Sequence, residues 1–168
     1  MATVSQFALM PALPSLAAGT LILILALAGR SKLAAIAKPV GPSLLIAPAL
    51  YFLSTLHYAG AILSWSDLAW VGGISVLVGF LAGSRLVMIN PPMIAEDTGL
   101  VVRRLSVTMV WFLVLIIWAR GVILILAGLM PELHHYQYEA LFGLLAFAGA
   151  ASLTGALGTL IMAAKLRS

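Results

Sequence analysis

The chain has 168 residues, of which 63% are apolar and only 8% charged, and its mean hydropathy is +1.16. A water-soluble domain could not cover its surface with so few polar groups, so the composition indicates a membrane protein. The net charge of +4 comes from scattered basic residues, which argues against nucleic-acid binding, and the absence of cysteine excludes disulfides, thiol redox chemistry and thiolate metal sites.

Five apolar segments, each about as long as a transmembrane helix, follow one another along the chain. They cover about residues 7–29, 42–64, 68–88, 105–130 and 140–164. Residues 1–29 carry no charge, so no basic region precedes the first segment and no cleavable signal peptide is predicted. The predicted fold is all-α: a single polytopic domain, residues 1–168, with five transmembrane helices in one bundle.

The basic residues are distributed unevenly among the connections between these segments. Eight of the nine lie beyond the first, third or fifth segment or in its last turn: Arg30, Lys32, Lys38, Arg85, Arg103, Arg104, Lys165 and Arg167. Connections rich in Lys and Arg stay in the cytoplasm. The pattern therefore predicts an N-out, C-in, multi-pass protein of the bacterial inner membrane, with membrane lipid as its surroundings.

Arg120 is the one basic residue inside a predicted span. At 1.5 Å per residue it lies roughly 24 Å from the inner end of this span and about 16 Å from the outer end. An unpaired Arg there costs from about 3 to over 10 kcal/mol. His57, at a similar predicted depth, and Tyr58 are its candidate companions. A structural hydrogen-bond hub is the favoured interpretation, and a ligand- or partner-binding site is the alternative.

Small residues recur every four positions on two of the predicted helices. Such spacing lets helix backbones approach closely in lipid, where no hydrophobic force drives helices together. These faces either pack the bundle internally, which is favoured, or dock a second copy or another membrane subunit. The residues are Ser75, Gly79 and Gly83 on the third helix, and Ala151, Gly155 and Thr159 on the fifth.

Two connections hold further candidate site residues. Arg103 and Arg104, in the oily inner connection, are expected to meet lipid phosphates. His134 and His135, in the outer connection, are the candidate metal ligands. Two adjacent histidines on a helix point in different directions, so they would not bind one ion. A solvated loop is therefore the favoured interpretation of this connection. The cofactor stays unknown, and a haem held by two histidines of one chain is not expected because His57 is the single histidine within a span.

Four features of the chain occur together: Arg30-Ser31-Lys32, the pattern Asp97-x-Gly99-x-x-x-Arg103-Arg104-x-Ser106, Arg120, and Ala140-Leu141-Phe142-Gly143. In these features the chain resembles small bacterial inner-membrane proteins of the CcdC type, which belong to cytochrome c biogenesis, and their uncharacterised relatives. The resemblance implies no site residue, because that group has no assigned activity.

No catalytic motif occurs in the sequence, so the chain is not expected to be an enzyme. The predicted function is that of a non-enzymatic accessory, scaffold or assembly subunit of a membrane complex, either a homo-oligomer or one with other membrane subunits. The alternative is a small carrier or sensor that binds an anionic or amphipathic ligand at Arg120.

The predicted orientation can be tested with a reporter that is active only in the periplasm. Fusions after Asp67 or His135 should be active, and fusions after Lys32 or Ser168 should be silent, because basic connections are retained in the cytoplasm. Activity of the Ser168 fusion would contradict both the orientation and the number of spans.

Overall fold

The computed structural model describes residues 12–29, 37–59, 64–96, 98–104, 106–134 and 136–168. Most of these residues belong to five α-helices. The helices are α1 (Ala12–Ala28), α2 (Ile46–Ala59), α3 (Trp65–Ile89), α4 (Val107–Leu129) and α5 (Gln137–Arg167). Short 3-10 turns, Pro42–Leu45 and Pro131–Leu133, precede α2 and α5.

Three of these helices are long and apolar enough to cross a membrane: Trp65–Ile89, Val107–Leu129 and Gln137–Leu166. This confirms the predicted helical fold and supports a membrane protein, whereas the five-span bundle stays a prediction. The helices α1 and α2 have 17 and 14 residues, shorter than the spans predicted for them. Parts of those two predicted spans, residues 7–11 and 60–63, lie outside the described residues.

Side-chain caps and prolines set the ends of α3 and the start of α4. The Ser64 hydroxyl accepts a hydrogen bond from the Asp67 amide at 3.4 Å, which caps the first turn of α3. Helix α3 ends before Pro91 and Pro92, which cannot continue a helix. At the start of α4, Ser106 accepts from the Met109 amide at 3.3 Å in the same way.

Helix α5 is the centre of the bundle. It packs most extensively against α3, then against α2, and less against α4, whereas α1 packs against α4. In the α1–α4 contact, Ala26 is buried with Val110 and Val114. The helix with the most neighbours is thus also the longest.

The small residues of α3 lie at its contact with α5. A Cβ atom added to Gly79 would meet the Phe147 carbonyl and lie 2.9 Å from the Ala150 Cβ, and one added to Gly83 would meet the Ala151 carbonyl. Of the matching residues on α5, Ala151 and Thr159 are buried, whereas a Cβ at Gly155 would meet no atom within 4 Å. The ridge formed by Ser75, Gly79 and Gly83 therefore packs inside the bundle.

The glycine contacts also give the relative directions of the helices. Gly79 and Gly83 lie beside Phe147 and Ala151 in the same order along the chain, so α3 and α5 run parallel. In the other pair, Gly19 lies beside Trp118 and Gly121 beside Leu16, so α1 and α4 run antiparallel. Both relations fit a chain that reverses direction at each connection.

A small antiparallel sheet lies at one end of the bundle, and the all-α prediction did not include it. Its strands are β1 (Ala37–Pro39), β2 (Met93–Ile94) and β3 (Val101–Arg104), in the order β1-β3-β2. Gly99, with φ +65°, supplies the left-handed turn between β2 and β3. Part of the oily connection after α3 is thus a strand pair.

The sheet gathers the basic connections at the same end of the molecule. Strand β1 belongs to the connection after α1, whereas β2 and β3 belong to the connection after α3. Val40 and Val101 of this region pack against Ala163, near the end of α5. Among the described basic residues, Lys38, Arg103 and Arg104 therefore lie in one sheet, near the end of α5 that holds Lys165.

The α3–α5 contact predicts different effects for two glycine substitutions on α3. Gly83→Leu should lower the melting temperature in mild detergent, because a larger side chain in a close-packed contact costs about 1–3 kcal/mol. Gly73→Leu is the matched control, since Gly73 is exposed and a Cβ there meets no atom within 4 Å. Equal melting temperatures for the two variants, measured by circular dichroism, would contradict this packing.

Candidate functional site

Arg120 lies on the exposed surface of α4. It is roughly 20 Å along the helix from Val107 and about 14 Å from Leu129, at 1.5 Å per residue. Helix α1 covers the neighbouring strip of α4, where Trp118 and Gly121 pack, and leaves Arg120 uncovered. Its guanidinium makes no hydrogen bond or ion pair with any described residue. A charged group thus projects from the middle of an apolar helix.

His57 and Tyr58 are not joined to Arg120. Both belong to α2, which packs against α5, whereas α4 packs against α1 and α5. His57 is exposed, Tyr58 is half-buried, and their rings meet edge to face with centroids 5.5 Å apart. No hydrogen bond or ring contact links either residue to Arg120 in the described structure. Similar predicted depth did not place these residues on facing surfaces.

The outer connection offers no assembled metal site in the part of the chain that the structure describes. His134 is exposed in the turn before α5, and His135 lies outside the described residues. Among described residues, no group of three or more His, Cys, Asp or Glu side chains could hold a metal ion. The metal-binding hypothesis for His134 and His135 therefore stays a prediction.

Arg103 and Arg104 occupy opposite environments, although both were expected to meet lipid phosphates. Arg104 is exposed, whereas only 8% of Arg103 is exposed. Arg103 follows two buried residues of β3, Val101 and Val102, whereas Arg104 ends the strand. Burial lowers the pKa of the Arg103 guanidinium by desolvation. Arg103 does not lie on the open surface, and its expected contact with lipid phosphate stays a prediction.

An apolar groove of about 740 Å³ lies between α2, α3 and α5. Thr55 supplies the one side-chain hydroxyl among its lining residues, and that hydroxyl donates to the Tyr51 carbonyl at 2.7 Å. The groove therefore presents almost no free polar group to an occupant. Its walls include Phe52, Leu56, Leu68, Val76, Phe142 and Leu153. Sequence reasoning did not find it, because the residues come from three separate helices.

Comparison with known proteins gives no relative for this chain. No protein-family model matches it, and neither does any curated protein or solved structure. The resemblance to CcdC-type proteins therefore stays a prediction. Two features of the chain's own geometry bear on its function: the uncovered Arg120 and the apolar groove.

Proposed function

We propose that this chain is a non-enzymatic accessory subunit of a membrane complex, docked through the face of α4 that carries Arg120. The observation that carries the proposal is the exposed, unpaired guanidinium in the middle of that helix. A hub inside the bundle would require partners on the neighbouring helices, and the described residues supply none. The interpretation as a partner-binding site is therefore favoured over the structural hub.

The free energy of an uncovered Arg in lipid supports this proposal. A charged side chain near the bilayer centre costs from about 3 to more than 10 kcal/mol. Arg can reduce this by extending towards the headgroups, but about 14 Å of helix separates Arg120 from Leu129, the nearer end of α4. A partner that covers this face and offers acceptors would remove most of the penalty.

The chemistry of guanidinium defines what the partner must supply. Its planar fork of N–H donors pairs best with carboxylate, carbonyl or hydroxyl oxygens in one plane. Leu113, two helical turns earlier on the same face, is also exposed, so the surface around the charge is apolar. A transmembrane helix of a second copy or of another subunit, carrying an acceptor at this depth, fits such a surface.

The proposed topology is five spans with the N-terminus outside and the C-terminus inside, in a bacterial inner membrane. Two observations support it. The helix directions determined from the glycine contacts fit reversal at each connection. The sheet brings together the connections that hold basic residues, beside the end of α5, so those residues share one side as the positive-inside rule requires.

The docking proposal predicts that Arg120→Met folds but loses its partner. The apolar side chain removes the insertion penalty, so the melting temperature should stay equal or rise. Native mass spectrometry in mild detergent, with differently tagged copies to detect self-association, should show loss of a stoichiometric subunit. Arg120→Lys should restore little of the subunit binding, because the point charge of an ammonium group does not reproduce the planar N–H donors of guanidinium.

Arg85→Met is the matched control for this experiment. Arg85 is also exposed, but it lies near the end of α3, where its side chain can reach headgroups. The control should retain the partner. An Arg120→Met variant that assembles like the parent protein would contradict the proposal.

A second function, that of a carrier or sensor for an amphipathic molecule, is favoured by the groove between α2, α3 and α5. A volume of about 740 Å³ lies within the range of small-molecule sites in proteins, and an acyl chain suits apolar walls. The sequence-based hypothesis placed the ligand at Arg120, but Arg120 belongs to α4 and does not line the groove. The proposed ligand site of a carrier or sensor is therefore the groove. The two functions therefore make separable predictions.

The groove hypothesis predicts that Val76→Trp weakens binding of a pyrene-labelled fatty acid, because indole fills part of the groove. The expected loss of affinity is about fivefold, equivalent to roughly 1 kcal/mol. Val78→Trp is the control, since both valines are 49% exposed and Val78 does not line this groove. Equal affinities of the two variants in a fluorescence titration would contradict the hypothesis.

A further inference from the structure

A second, smaller cavity surrounds Arg103 at the end of the bundle that holds the sheet. Its volume is about 190 Å³, several times the share of one water molecule, roughly 30 Å³. It lies where the start of α2, the end of α3 and the start of α4 meet α5. Apolar side chains form most of its wall: Leu44, Pro48, Leu86, Met109 and Phe112.

Arg103 brings a charge into this cavity without a compensating partner. One guanidinium nitrogen, Nη2, donates to the Leu86 carbonyl at 3.3 Å. The Nε atom is buried and has no hydrogen-bond partner. Among the described residues, no carboxylate lies within ion-pair distance of Arg103. A buried charge normally requires pairing, and the buried Nε donor still lacks an acceptor.

Capping of α3 does not by itself explain Arg103. Leu86 lies in the last turn of α3, where a cation is favoured by the negative end of the helix dipole. However, the Leu86 carbonyl already accepts from the Asn90 amide at 3.2 Å. The Arg103 contact therefore adds a second donor to a satisfied carbonyl and leaves Nε unused.

Two other features of the cavity favour an anion. Ser152 of α5 lines it, and its hydroxyl makes no hydrogen bond to a described residue. By contrast, Thr154 and Thr159 on the same helix donate to the carbonyls four residues earlier. Met109, in the first turn of α4, also lines the cavity, and the start of a helix carries a positive partial charge.

We propose that this cavity binds an oxyanion, a phosphate group, with Arg103 as its main ligand and Ser152 as an additional donor. Guanidinium pairs phosphate through two parallel hydrogen bonds. The phosphate can be the headgroup of an anionic phospholipid or a free ion. The apolar walls favour the lipid. The assignment is independent of Arg120 and of the accessory-subunit proposal.

The test compares phospholipid binding to the full chain in mild detergent by native mass spectrometry. The parent protein should bind phosphatidylglycerol at least about tenfold more tightly than phosphatidylcholine, since charge-assisted hydrogen bonds are the strong ones. Arg103→Met should reduce this preference to about twofold or less. Arg104→Met, one residue along the strand, should lower it by less than about twofold, because a solvent-exposed charge contributes little.

A second variant blocks the cavity without changing Arg103. Gly155 lines the cavity, and a Cβ there meets no atom within 4 Å, so Gly155→Leu should fill the space and abolish the lipid preference. Gly73→Leu is its control on an exposed surface. If Arg103→Met does not fold, the comparison of Gly155→Leu with Gly73→Leu tests whether the cavity binds the lipid.

Inorganic phosphate distinguishes the two sources of the oxyanion. If phosphate alone raises the melting temperature of the parent but not of Gly155→Leu, the site takes the free ion; if only phosphatidylglycerol does so, it takes the headgroup. Either result supports the site. The site would be refuted if Arg103→Met or Gly155→Leu kept the parental preference, or if Arg104→Met lost as much as Arg103→Met.

Discussion

The close approach of α3 to α5 is the contact on which the rest of the bundle depends. In lipid, apolar side chains gain nothing by leaving water, so dispersion between backbones that nearly touch must hold helices together. Gly79 and Gly83 permit that approach because a Cβ at either position would meet an α5 carbonyl. Since α5 also supports α2 and part of α4, the position of each of these helices follows from this contact.

The sheet at the end of the bundle is the second determinant, and it explains why a charged residue is buried. Strand β3 is paired on both sides, and its inward face packs towards α5 through Val101. Side chains alternate along a strand, so Arg103 points the same way as Val101. Asn90 strengthens the arrangement by donating to the Arg104 carbonyl at 2.6 Å, which ties the end of α3 to the strand. Val102, on the other face of β3, is buried as well, so the burial of Arg103 follows from the central place of β3 between two strands and the helices rather than from hydropathy.

The sequence was sufficient to predict the helices and the ridge of Ser75, Gly79 and Gly83. It was not sufficient to predict which helix surfaces face each other. Long apolar runs predicted α3, α4 and α5 closely, because length and hydropathy are local properties. The strands have only two to four residues, too few for an alternating pattern to be recognised. Depth along a helix was predictable for Arg120 and His57, but the direction of each side chain around its helix was not.

Arg103 and Arg120 differ in the source of the partner that each requires. All five carboxylates of the chain lie outside the predicted spans, so none is expected at the depth of Arg120, and no described carboxylate lies within ion-pair distance of Arg103. Arg120 is exposed on a helix surface, where the proposed subunit would bring acceptors. Arg103 lines a half-open cavity of about 190 Å³, which is large enough for the proposed phosphate group. The proposed partner is therefore a protein at one position and a small anionic group at the other.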